Sequence, residues 1–173
     1  MSSSRPSKRE GPRGAKGEGP RGNAYDGAVR ILGVRDHSRF ELGQKLRQRG
    51  FENDDIDDAL SRLEEHGYLD DERFARLVMR QYSDRGRRGV SMQMEKRGIP
   101  GEIYRPLLEE IGPDEEHARA AEALEKRTRE VPPPGPERQR WKARMAGYLG
   151  RRGFSSSVIM TALEEAVGRE DDY

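Results

Sequence analysis

The chain has 173 residues, room for one domain or a short array of small ones, and 38% of them are charged, with 33 Lys and Arg against 32 Asp and Glu. There is no cysteine, hence no disulfide framework and no thiolate chemistry, and no apolar run approaches the roughly 18 residues of a membrane span. Nothing at the N-terminus reads as a secretory signal, so the expectation is a cytoplasmic protein built on small, thin cores.

Gly, Pro, Ser and charge dominate residues 1–25, with six Lys/Arg and two Glu. So little apolar surface predicts a disordered basic tail, at most a weak tether for nucleic acid. From residue 26 the pattern turns helical. Ile56, Ala59, Leu60 and Leu63 recur at i, i+3, i+4 and i+7, as do Phe74, Leu77, Val78 and Tyr82. Trp141, Met145, Tyr148 and Leu149 follow one face of a later helix, and Val158, Ile159, Ala162, Leu163 and Ala166 one face of the last. No stretch alternates as a strand would, so the fold class is all-α.

Punctuation marks the helix ends. Ser38 with Glu41 reads as a capping box. Asp70 or Asp71 caps the helix that carries Phe74, with Glu72 in its first turn. The PPPGP run at 132–136 is a break that no helix crosses. Pro106 inside GEIYRPLLEEI predicts a helix that starts late or kinks.

One phrase is written three times: RQRGF at 47–51, EKRGI at 95–99 and GRRGF at 150–154. An apolar residue precedes each arginine by three: Leu46 for Arg49, Met94 for Arg97, Leu149 for Arg152. Gly50, Gly98 and Gly153 follow, then an apolar residue and a new helix. A glycine that takes the left-handed conformation ends a helix cheaply, and arginine in the last turn suits the helix dipole. The phrase is therefore a helix-turn-helix joint rather than a phosphate loop, which would place glycine at a helix N-terminus. The joints lie 48 and 55 residues apart, which leaves room for three helices per unit. The expected organisation is a tail (1–25), repeats at 26–68, 69–112 and 113–168, and an acidic end (169–173). Together the repeats form an elongated, curved array of three tandem three-helix units. In the second copy the next core isoleucine, Ile103, arrives one residue early.

The chemistry-bearing motifs are few. Adjacent carboxylates in LDDE could hold a cation, but helix capping accounts for them, and His37, His66 and His117 stand apart. No phosphate-loop, serine-elbow or Cys/His signature is present, so neither an enzyme nor a cofactor is expected. Charge is segregated instead. Residues 52–72 carry ten acids and one arginine, 73–105 nine cations and three acids, and 137–153 six cations and one acid. Basic faces suit phosphate and acidic faces suit a basic protein. Arg85, Arg87 and Arg88, in the turn at 83–89, are expected to reach solvent from an exposed, mobile joint. Trp141, among Arg138, Arg140, Lys142 and Arg144, could stack on a base, but its phase with Met145 places it in a core.

RDHSRFELGQKLRQRGF, GYLDDERFA and LGRRGFSSSVI resemble the three signature stretches of the RecX family, in order, over about residues 28–167. The resemblance implies three tandem three-helix repeats. It also implies a non-enzymatic protein that binds the groove of the RecA–DNA filament and inhibits ATPase, strand exchange and coprotease activity, thereby modulating recombinational repair. On that reading the partners are the RecA filament and, more weakly, single- or double-stranded DNA, with no membrane and a monomeric chain. Candidate contacts are Arg85, Arg87, Arg88, Arg97, Arg138, Lys142, Arg151 and Arg152, while Gly50, Gly98, Gly153, Asp70, Asp71 and Phe74 are structural. Two other readings stand beside it: a helix-turn-helix DNA-binding protein with no recombinase partner, and a plain helical scaffold.

Overall fold

A computed structural model describes residues 22–128 and 130–171, and most of the expected tail (1–21) lies outside the described residues. Among those described there are nine α-helices and no strand. They are α1 (Ala24–Leu32), α2 (Arg39–Gln48), α3 (Asn53–Glu65), α4 (Asp71–Gln81), α5 (Arg87–Lys96), α6 (Gly101–Glu109), α7 (Pro113–Arg127), α8 (Pro136–Arg151) and α9 (Ser156–Asp171).

The helices pack in threes, α1 with α2 and α3, α4 with α5 and α6, and α7 with α8 and α9. Each triad closes over its own core. Leu42, Leu46, Ile56 and Leu63 centre the first, Phe74, Val78, Val90 and Met94 the second, and Trp141, Met145, Leu149 and Leu163 the third. Trp141 is only 2% exposed, so it is a core residue and not a stacking platform. Three cores in place of one follow from the low apolar content, because each short helix can bury only one stripe.

All three copies of the repeated phrase fold identically. Gly50, Gly98 and Gly153 have φ of +83°, +66° and +80°. The N–H of Phe51, Ile99 and Phe154 donates back to the carbonyl of Leu46, Met94 and Leu149, at 3.3, 3.1 and 3.3 Å. Each glycine N–H closes the inner bond, to Arg47, Glu95 and Gly150. This is a Schellman end, in which the apolar residue after glycine folds onto the helix just left.

Several sequence expectations change. Helix α1 starts at Ala24, inside the stretch assigned to the tail, because Asn23 caps it by accepting from the Asp26 N–H at 2.8 Å. Likewise α9 runs on to Asp171, into the expected acidic end. Helix α6 starts at Gly101, ahead of Pro106, and includes it. Pro106 is on the exposed side, so its ring displaces no core contact. Ile103 does not replace the core residue six positions after the glycine. Tyr104 occupies that place, buried like Ile56 and Ile159, and its hydroxyl donates to Glu95 Oε1 at 2.9 Å.

Candidate functional site: the repeat joints and the α8 arginine face

The cross-unit hydrogen bonds among the described residues fall at two joints built on one plan. In each, the N-terminus of one unit's middle helix docks on the C-terminal turn of the next unit's middle helix. Ser38, the N-cap of α2, donates its Oγ–H to the Arg97 carbonyl at 2.5 Å, and Gly86, the N-cap of α5, donates its N–H to the Arg152 carbonyl at 3.2 Å. Those C-cap carbonyls lack a partner in their own helices, so each unit completes the helix end of its neighbour.

A carboxylate on the next unit's first helix returns the favour. Asp71 accepts from the Arg39 N–H at 2.7 Å, and Glu116 from the Arg87 N–H at 2.8 Å. Arg39 and Arg87 are the first residues of α2 and α5, where N–H groups are free and the dipole favours negative charge. Asp70 meanwhile caps its own helix, accepting from the Arg73 N–H at 2.9 Å. The paired aspartates thus divide the work, one for its own helix and one for its neighbour. Burial pushes the Asp71 carboxyl above its ordinary value of 3.8, against the opposing pull of the Arg39 N–H.

The arginine of the repeated phrase completes each joint. Arg97 pairs with Glu41 at 3.1 Å and lies over the rings of Phe74 and Tyr82. Arg152 pairs with Asp84 and lies over Tyr148. Glu41 also meets Arg35 at 3.3 Å and His37 Nδ1 at 3.0 Å. Burial depresses the His37 pKa, with the bond to Glu41 pulling the other way.

The turn at 83–89 is not the exposed joint that its composition predicts. Gly86 and Gly89 are buried under Arg152, Gly153 and Phe154, because only residues without side chains let the two backbones meet. Arg85 lies over Tyr82, Arg87 pairs with Glu116 at 3.6 Å, and both are half-buried, whereas Arg88 is exposed. Arg138, 7% exposed, donates Nε–H to the Pro132 carbonyl at 2.6 Å and braces the proline-rich loop.

The candidate arginines therefore separate. Arg87, Arg97, Arg138 and Arg152 hold the fold, and Arg85 packs on Tyr82. Arg88, Lys142 and Arg151 make no ion pair among the described residues, and Lys142 is half-buried. Sequence reasoning left two further arginines out of the candidate set. Arg140 and Arg144 are exposed, make no ion pair among the described residues, and share one face of α8 with Arg151, at successive spacings of four and seven. A Cβ at Gly147 would lie 3.4 Å from Arg151 Nη1, so the Arg151 guanidinium folds back beside Gly147. Helical spacing alone could have found this row.

Among the described residues no cluster of His, Asp and Glu could hold a metal, and no helix is long and apolar enough to cross a membrane. Three-helix units docked end to end define a helical-repeat protein. The chain belongs to the RecX family. The family model for the first RecX three-helix domain matches residues 24–63, and that for the third matches 114–163. The chain is 36% identical to the regulatory protein RecX of Chromohalobacter salexigens over 82% of its length and 91% of the relative. It is 34% identical to that of Halorhodospira halophila over 85% and 89%. The crystal structure of RecX from Lactobacillus salivarius superimposes with a TM-score of 0.71 at 20% identity, covering 83% of this chain and 94% of that one, a likeness of fold.

Proposed function

We propose that this chain is a non-catalytic regulator that binds along the groove of the RecA–DNA filament as a monomer in the cytoplasm. It restrains ATP turnover, strand exchange and coprotease activity there. What carries the reading is membership in the RecX regulatory family. The unpaired arginine row Arg140, Arg144 and Arg151 supports it, with Arg88 next to the Gly89–Gly153 contact. A row of guanidinium groups with no ion-pair partner among the described residues suits the phosphates at the filament axis. A rigid array that bridges several subunits opposes the change of subunit spacing that turnover requires. Phosphate contacts of this kind also give the chain a weaker affinity for bare DNA.

The test is titration of the full chain into RecA hydrolysing ATP on single-stranded DNA. Inhibition well below one chain per RecA monomer is the expected result. Loss of activity only at concentrations that saturate the DNA would instead favour the DNA-binding reading without a recombinase partner.

A further inference from the structure

The second joint leaves a cleft of about 230 Å³ lined by Arg76, Met79, Arg80 and Ser83 of the second unit and Arg119 of the third. Three guanidinium groups and a hydroxyl line it, and no carboxylate does. Two of the arginines are already positioned from behind. Arg119 donates Nε–H and Nη2–H to Glu115 Oε1 at 3.1 and 2.6 Å. Arg76 is held by Glu72 and Glu110. Glu72, Glu110 and Glu115 together offset the charges of Arg76 and Arg119, so the guanidinium still open to a ligand is that of Arg80, which has no ion pair among the described residues. Arg119 also keeps an unmet need. Its side chain is only 13% exposed, and Nη1 is buried without an acceptor from the protein. A buried donor left unpaired is costly, more so when it is charged.

We propose that this cleft binds a phosphate group and that the bound group ties α4 of the second unit to α7 of the third. A tetrahedral oxyanion offers three or more acceptor oxygens and up to two charges. That suits the forked donors of Arg80 and the Ser83 hydroxyl, with the Arg119 side chain in the cleft wall, better than a planar carboxylate does. The site lies apart from the α8 arginine row and does not depend on the recombinase reading. The phosphate could be a free inorganic or pyrophosphate ion, or one phosphodiester of a nucleic-acid backbone.

The test uses the full chain with inorganic phosphate, pyrophosphate and a single-stranded oligonucleotide, followed by ³¹P NMR and titration calorimetry at fixed ionic strength. Arg80→Gln and Ser83→Ala change exposed residues, and circular dichroism checks that both variants fold. Saturable binding of the free ions that Arg80→Gln weakens about tenfold or more is the expected result. The oligonucleotide is titrated into chains that also carry Arg140→Ala, Arg144→Ala and Arg151→Ala. Binding there that depends on Arg80, without binding of the free ions, assigns the phosphate to a nucleic-acid backbone. If neither variant alters the binding of any of the three probes, the proposal is overturned.

Discussion

Gly89 and Gly153 meet backbone against backbone across the second joint. A Cβ on Gly153 would collide with the amide of Gly89, and one on Gly89 with the carbonyl of Arg152. Gly153 is thus required twice, for its φ of +80° and for this contact, whereas Gly89 sits in α5, where alanine is the better helix former. Gly153→Ala is expected to destabilise by about 1–3 kcal/mol from backbone strain alone. Gly89→Ala separates propensity from contact. It should spread the second and third units apart, read as a longer distance between fluorophores on α4 and α9. A higher denaturation midpoint with an unchanged distance would show that helix propensity governs and the contact does not.

Asp71 tests the caps between units. Its folded pKa is raised, so the native state holds the proton more tightly than the unfolded chain does. Stability therefore falls as pH rises from the ordinary value of 3.8 through the raised one, because the native carboxylate must ionise while buried. Asp71→Asn keeps an acceptor for the Arg39 N–H without the buried charge and should come close to wild type at neutral pH. Asp71→Ala removes the acceptor and should cost about 1 kcal/mol, the usual loss for a cap. Urea titration of the three proteins at pH 7 decides it, and equal losses for Asn and Ala would refute the capping role.

His37 gives the first joint a pH dependence of the opposite slope. Burial lowers its pKa below the ordinary 6.5, so on acidification the unfolded chain takes up a proton before the native state does. Stability should decline as pH falls through that window, and His37→Asn should flatten the decline. The groups facing it are Glu41, Arg35 and Lys45, of which Glu41 opposes the shift and the two cations reinforce it. Melting curves at pH 7.5 and 5.5 for both chains are the measurement, and an equal drop in the two would remove His37 as the cause.

The two kinds of arginine predict two phenotypes. Arg140→Ala, Arg144→Ala and Arg151→Ala together should leave the melting transition nearly unchanged and weaken filament binding. Each lost phosphate contact should flatten the log–log salt slope by about 0.7 on single strands. Arg97→Ala should do the reverse, lowering stability by leaving Glu41 short of a partner while changing the salt slope little. If the triple variant inhibits RecA like wild type at every salt concentration, the α8 row is only a solvated face.

The helices, their caps and the three joint turns were legible in the sequence because they are local. Apolar periodicity, a cap residue and a glycine four positions after an apolar one act within a few residues of each other. Membership in RecX was legible too, since GYLDDERFA and its companions lie in contiguous stretches. Which arginines are free was not legible. Arg97, Arg151 and Arg152 occur in the same kind of phrase, yet Arg97 and Arg152 are neutralised by Glu41 and Asp84, residues 56 and 68 positions away. Composition likewise marked the turn at 83–89 as exposed, because Gly and Arg are what a solvated loop contains. Only the docking of α5 on the α8–α9 turn shows that Gly86 and Gly89 are there to let two backbones touch. A charge block along the chain reports how many cations a helix carries, but the packing of one unit on the next decides which of them still face water.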